Sequence, residues 1–412
     1  MMGNRFIGRA ALRLVAAVLV PMAACTALAR DSIAPPVPAK RPVITETKAV
    51  TAYRAKLAAY GQLRVPFEKA AAAYWNRIGE KRTLRREKRA RGQEIVLEDY
   101  VLDQPPVYSG PSEPPPPATM RRRRTVVKKT VPVVADFLRH ARERFKFAPD
   151  RPAAEIDYKR AYARAALAAG ITKEQAVRIY GFEAGGNGRH DVQAGLEFPG
   201  KKARAITTAL GYNQLLTPNS IGVLAEHGQT FVEALEVIAD KAEPARRKRL
   251  NEKAAALRHM IAFTRTVPNR WAEHEKLARS PQGLGVHALI LDIDIGPLLQ
   301  TRKLVDSLNF AKMKGHSATL TPAELEMMNL MGDGSGFDIV TLPAPMRDKV
   351  PTSNFFQRGG YERNPVVIRN NVAATLLAAT NVKMEGQAAL PGARELEAAF
   401  DEAGARLSSA RQ

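Results

Sequence analysis

The chain has 412 residues, 45% of them hydrophobic, and its 63 lysines and arginines against 41 aspartates and glutamates give a net charge of +22. The apolar share is ordinary for a globular protein and the length allows a sizeable core in two or three structural units, while a single cysteine excludes a disulfide framework. The surplus of positive charge favours polyanionic partners, namely nucleic acid, anionic lipid or a bacterial cell-wall polymer, and the compartment decides among them.

The N-terminus points to that compartment. Arg5, Arg9 and Arg13 precede an apolar run from Leu14 to Ala24, and Ala27-Leu28-Ala29 follows. A basic start, an apolar stretch too short to span a bilayer comfortably and an A-x-A site read as a secretory signal peptide over residues 1–29. The expected location is therefore periplasmic or secreted, which disfavours nucleic acid. Met22-Ala23-Ala24-Cys25 is also a loose lipoprotein box, so an anchor through a diacylated Cys25 is the alternative to soluble release.

Residues 30–133 read as an extended, partly helical basic arm. Residues 30–45 are Pro-rich, and 46–92 are expected to be helical, ending in the run Lys81-Arg82-Thr83-Leu84-Arg85-Arg86-Glu87-Lys88-Arg89-Ala90-Arg91. Such a run either faces solvent or attaches the chain to an anionic envelope surface. Pro105-Pro106, Pro114 to Pro117 and Arg121 to Arg124 make 104–133 a charged tether.

From residue 134 to 385 the pattern is that of a mainly α domain, with 386–412 as a C-terminal tail. Helices are expected at 134–146, 155–169, 173–184, 219–227, 230–241, 244–265, 269–279, 322–330 and 366–379. A small irregular or hairpin element is expected near 193–200. Val286 to Ile295 is apolar with Asp292 and Asp294 embedded, and helix and strand both fit it. The two aspartates, alternating with Ile293 and Ile295, share one face toward either solvent or a cation.

Glu183 is the residue with the strongest chemical implication. Thr172-Lys173-Glu174-Gln175 reads as a capping box that opens a helix. Ala176, Ile179, Tyr180 and Glu183 then fall at i, i+3, i+4 and i+7, one face, and Gly185-Gly186 stops the helix. A carboxylate on the apolar face of a helix C-terminus is disfavoured both by burial and by the helix dipole. Both raise its pKa, as a general acid requires; the plain alternative is a side chain that reaches water past a frayed end.

Downstream lies Ala209-Leu210-Gly211-Tyr212-Asn213-Gln214-Leu215. A helix ending in Glu, followed by a Gly-hydrophobic-x-Gln turn, resembles the lysozyme-like lytic transglycosylase family. That family carries Glu-Ser at the helix end, where this chain has Glu183-Ala184, and Gly-Leu-Met-Gln where it has Gly211-Tyr212-Asn213-Gln214. Tyr361, in Tyr361-Glu362-Arg363-Asn364-Pro365, is the counterpart of a late Tyr- and Asn-bearing motif that lines the cleft. The resemblance implies a lysozyme-like helical fold, peptidoglycan glycan strands as substrate and no cofactor or metal. It implies one catalytic residue, Glu183, with Gly211, Tyr212, Gln214, Tyr361 and Asn364 toward the substrate.

Glycosidic cleavage needs an acid at the leaving oxygen and stabilisation of an oxocarbenium-like state. By resemblance, Glu183 alone serves as acid and then as base toward the sugar's own hydroxyl. Asp191 or Glu197 could instead activate water, as in a lysozyme-type hydrolase; Asp191 is otherwise a turn residue. Gln214 either meets substrate, orients Glu183 or stabilises its turn. A non-catalytic peptidoglycan-binding protein is the alternative function. Gly332-Asp333-Gly334-Ser335-Gly336-Phe337-Asp338 lacks the regular acids of a calcium loop and reads as a turn. No phosphate-binding loop, zinc-binding H-E-x-x-H or serine-hydrolase elbow is present.

Overall fold

Helix-forming signals dominate the chain, and the computed structural model describes residues 48–120, 131–186 and 207–409 as α-helices joined by turns. The helices are α1 (Lys48–Ala90), α2 (Val134–Phe145), α3 (Glu155–Ala168), α4 (Lys173–Ala184), α5 (Thr217–Asp240) and α6 (Pro244–Thr264). Next come α7 (Trp271–Ala278), α8 (Pro281–His287), α9 (Gly296–Met313), α10 (Pro322–Met331) and α11 (Asp333–Val340). Last are α12 (Ala344–Arg347), α13 (Arg358–Glu362), α14 (Pro365–Arg369), α15 (Ala373–Ala388) and α16 (Pro391–Ser409). Among the described residues there is no β-strand, only the isolated bridges Leu210–Leu215 and Pro351–Val372. The mainly α class is as expected. The signal peptide and the hairpin near 193–200 lie outside the described residues.

The chain divides into two units, Met1–Ala52 and Tyr53–Gln412. Of the first, only the opening of α1 is described. In the second, the longest helix pair is α5 against α6. The break expected between helices 219–227 and 230–241 is absent, and α5 runs through it. Gly228 is instead an approach point: a Cβ there would lie 2.5 Å from Ile261 Cγ1 of α6, so its missing side chain lets two backbones come close.

Among the helices not anticipated, two are long. Pro297 sits in the first turn of α9, where its missing N–H is no loss and its fixed φ suits the helix. The segment 386–412, read as a tail, is largely α16. Leu396, Ala399, Phe400 and Ala403 fall at i, i+3, i+4 and i+7 and are buried, against α3 and α4.

The basic arm also differs from expectation. Arg85 is fully buried, donating to the carbonyls of Asp99 at 3.0 Å and Asn354 at 3.3 Å and pairing with Asp338 at 3.4 Å. Arg89 pairs with the same Asp338, and Lys88 pairs with Asp99 at 2.6 Å. The hydroxyls of Tyr74 and Ser353 bond at 2.6 Å. Arg85, Lys88 and Arg89, at i, i+3 and i+4 on one face of α1, thus meet the helical body, while Arg86 and Arg91 face solvent. Asp338, expected in a turn, sits on α11 because it is the counter-ion of this docking.

Asp292 and Asp294 take neither expected arrangement. The apolar run around them folds as α8 and a 3-10 turn, Ala288–Leu291. Lys253 of α6 bridges Asp292 at 2.8 Å, Asp294 at 2.6 Å and Asp150 at 3.2 Å, and Arg246 closes the cluster. A lysine occupies the place considered for a cation, and Asp292 is fully buried. Among the described residues no single helix is long and apolar enough to cross a membrane.

Candidate active site

The capping box forms as its sequence dictates. Thr172 Oγ1 accepts from Gln175 N–H at 3.1 Å, and Gln175 Oε1 accepts from Thr172 N–H at 3.1 Å. Gln175 also donates to the Leu320 carbonyl at 2.8 Å, which ties α4 to the entry of α10. Gly185, at φ 81°, ends the helix in the left-handed region. Ala176, Ile179 and Tyr180 are fully buried, under α3, α10, α15 and α16.

This register carries the partly buried Glu183 to the carboxyl of Glu326 on α10. Glu326 is fully buried. Burial raises the Glu183 pKa, against the neighbouring Glu326 carboxyl and the charge of Lys383, which lower it. Burial also pushes Glu326 well above the ordinary carboxyl range, and the nearby charge of Glu183 pushes it further, with Asn329 and Lys383 opposing. Two neighbouring carboxyl groups out of water cannot both ionise cheaply. Glu326, the more buried, holds the proton, and neither of its carboxyl oxygens has a hydrogen-bond partner. Lys383 Nζ lies 3.8 Å from the centre of the Phe182 ring, beside Glu183 in sequence.

The arrangement is a proton-sharing pair with one member deep and one at a helix end. Such a pair titrates in two steps that belong to both groups. It can deliver a proton to a basic oxygen and take one back.

The Gly211–Gln214 turn is built from the inside. The Leu210–Leu215 bridge closes it, with Gly211 at φ 86° and Gln214 at φ 44°. A Cβ at Gly211 would collide with Gln300 Oε1 at 2.3 Å, so glycine is demanded by both backbone and space. Tyr212 is fully buried. Its hydroxyl donates to Glu155 at 2.7 Å, and its ring meets Tyr158, Tyr162 and Tyr180 edge-on at 5.2, 5.2 and 4.6 Å. Asn213 accepts from the Tyr162 hydroxyl at 3.0 Å and donates to the Gln300 carbonyl at 3.1 Å. Gln214 Nε2 donates to the Gly211 carbonyl at 2.8 Å.

The Tyr180–Tyr212 contact therefore joins the turn to α4, one helical turn before Glu183. Gly211 and Tyr212 act there as packing and hydrogen-bonding elements of the core. Tyr361 is buried elsewhere, its ring 5.5 Å from that of Trp75 on α1, in a groove shared with Phe67 and Tyr108. Asn364 caps α14, accepting from the N–H groups of Val366 at 3.1 Å and Val367 at 3.2 Å. Asp191 and Glu197 lie outside the described residues.

Glu326 is the site residue that sequence reading missed, although its signal is the one that identified Glu183. Ala323, Glu326 and Met327 occupy one face of α10 at i, i+3 and i+4, and all three are buried. Comparison with protein-family models, with curated proteins and with solved structures finds no match to this chain.

Proposed function

We propose that this chain is a secreted lytic transglycosylase that cleaves peptidoglycan glycan strands, with Glu183 as its single acid and base. The observation that carries the reading is the Glu183–Glu326 pair: a carboxyl at a helix end, held above its ordinary pKa by burial and backed by a second, more deeply buried acid. A group so tuned keeps a proton at a pH where a free glutamate has lost it.

In the reaction, protonated Glu183 donates to the glycosidic oxygen as the bond between the anomeric carbon and that oxygen breaks. The sugar becomes oxocarbenium-like. The Glu183 carboxylate then removes a proton from the sugar's own hydroxyl, whose oxygen attacks the anomeric carbon and closes an anhydro ring. Between the steps Glu183 is anionic beside the protonated Glu326, which adds no second negative charge and does not itself touch the sugar. The positive surplus of the chain complements the anionic envelope in which the substrate lies.

A second reading, a non-catalytic peptidoglycan-binding protein, is favoured by one observation. The turn that the resemblance assigns to substrate is committed to the core through the Tyr212 hydroxyl and ring.

The test is turnover of purified sacculi. Wild type should release anhydro-muropeptides, and Glu183→Gln should lower the rate by about 10³-fold, the scale of lost general acid–base catalysis. Release that is absent in wild type, or equal in the variant, overturns the enzyme reading. Sacculus binding without product in both proteins establishes the non-catalytic one.

A further inference from the structure

A second feature lies away from the carboxyl pair. The first turns of α5, the start of α7, one face of α9 and Asp333 at the start of α11 enclose a cavity of about 500 Å³. That is within the range of small-ligand sites, roughly 300–1,000 Å³. Nothing in the chemistry assigned to Glu183 uses it.

Three properties of its wall define what it accepts. Its apolar part is displayed rather than hidden: Trp271 is 52% exposed and Met313 is 78% exposed. A tryptophan held open at a cavity rim offers a flat face to C–H groups. The charged groups of the wall are matched in number, Arg270, Arg302 and Lys303 against Glu226, Asp306 and Asp333. Two of the pairs are made, Arg302–Asp306 at 2.8 Å and Lys303–Asp333 at 3.3 Å. A charged ligand would have to break these pairs, whereas a neutral one can hydrogen-bond to them as they stand.

The third property is an unmet hydrogen bond. His274 lines the cavity with 4% of its surface exposed, and its Nε2 has no partner. Burial lowers its pKa, so the imidazole is neutral near pH 7 and offers one donor and one acceptor. Gly222 on α5 makes room for the ring, since a Cβ there would lie 2.9 Å from His274 Nδ1. A buried polar atom without a partner is unusual enough to need a reason, and a flip of the ring that turns this nitrogen toward the cavity lets a ligand hydroxyl supply one. The exposed amides of Asn269 and Asn309 extend the polar part of the wall.

A ligand with one apolar face, a rim of hydroxyls and no charge is a sugar ring. We propose that this cavity is a saccharide-binding site in which Trp271 stacks on a pyranose and the neutral His274 imidazole bonds a ring hydroxyl, separate from the Glu183–Glu326 pair. The sugar comes from a glycan strand or from a free oligosaccharide; the choice of a strand rests on the function proposed above, the site itself does not.

The test uses the full mature chain with N-acetyl-chitotetraose as probe. Only two tryptophans are present, so Trp75→Phe leaves Trp271 as the sole indole reporter. Saturable quenching or enhancement is expected, and calorimetry should show binding weakened about ten-fold or more in Trp271→Ala, the scale of losing a buried aromatic contact. Because Trp271 is exposed, its removal should leave the melting temperature unchanged, and Asn309→Ala gives a second variant with the same expectation. Loss of sacculus retention in Trp271→Ala identifies a glycan strand as the source; retained sacculus behaviour with lost chitotetraose binding identifies a free oligosaccharide.

No saturable binding at millimolar probe overturns the proposal. So does affinity unchanged in both variants, or binding abolished by Glu183→Gln, which places the sugar at the carboxyl pair instead. Trp271-dependent binding without sacculus turnover removes only the enzyme reading; turnover with a silent Trp271 removes only this site.

Discussion

Two groups of carboxyls, each built round one fully buried member, Asp292 or Glu326, have opposite surroundings. Asp150, Asp292 and Asp294 converge on Lys253 and Arg246, so charge is matched within the cluster. Glu183 and Glu326 converge on each other, with exposed Lys383 as their nearby cation. The aspartates fasten α6 and the α3 approach to the turn that opens α9. The glutamates fasten nothing that a neutral residue would not hold as well. A fold that buries a carboxylate for structure provides its cation; a fold that buries two acids against each other stores a proton.

The largest expected effect separates the groups by activity. Glu183→Gln should cost about 10³-fold in sacculus turnover, roughly 4 kcal/mol of transition-state stabilisation, with no loss of thermal stability. The converse comes next. Lys253→Met keeps the aliphatic stem but leaves fully buried Asp292 without its cation, and should destabilise the protein by about 3 kcal/mol. Denaturant unfolding reads this directly. A stability loss in Glu183→Gln larger than that of Lys253→Met would reverse the assignment of chemistry to one group and structure to the other.

The contrast between the groups was only half legible in the sequence. Glu183 was found because a capping box fixed the helical phase and the i+7 position then fell on a buried face. The same phase argument on α10 finds Glu326, but its pairing with Glu183 needed α4 and α10 to be brought together by tertiary packing. Asp292 and Asp294 were visible as a pair, yet their partner Lys253 is some forty positions away on α6, and no local rule links the two. Gly228 serves close packing inside α5 and Pro297 opens α9, and the reason for either becomes visible only with the neighbouring helix in place. The cationic run 81–91 showed its charge and not its sockets, because Asp338 and the Asn354 carbonyl become neighbours of Arg85 only in the fold.

A smaller effect tests the stored proton through stability. Folded-state pKa values raised for Glu183 and Glu326 mean that the native state binds more protons than the unfolded state above about pH 4.5, the ordinary glutamate value. Stability then falls as pH rises through the raised values. The depressed pKa of Asp150, where burial is outweighed by Lys253 and Arg246, has the opposite sign: its contribution is present above pH 3.8 and lost as pH falls below it. Glu326→Gln should therefore be more stable than wild type at pH 7, by on the order of 1 kcal/mol, with the difference vanishing near pH 4. Thermal melts of the two proteins at both pH values decide it.

The finest effect concerns the pH profile of turnover, and it distinguishes a proton store from a mere neighbour. In wild type the last proton of the pair leaves well above the ordinary carboxyl range, because burial and the Glu183 charge hold it on Glu326. Because the two neighbouring carboxyls titrate together and share that last proton, Glu183 keeps its acid form to higher pH than one isolated glutamate allows. Glutamine at 326 keeps the size and shape of the side chain but has no proton to release. Glu326→Gln should then move the alkaline limb of the turnover profile to lower pH, by about one pH unit. The rate on the acid side, where Glu183 is protonated in both proteins, should change little. A residue that only positions Glu183 would change the rate at every pH alike. A uniform loss with an unmoved alkaline limb reduces Glu326 to packing, and the likeness between the two buried groups would then be closer than their charges indicate.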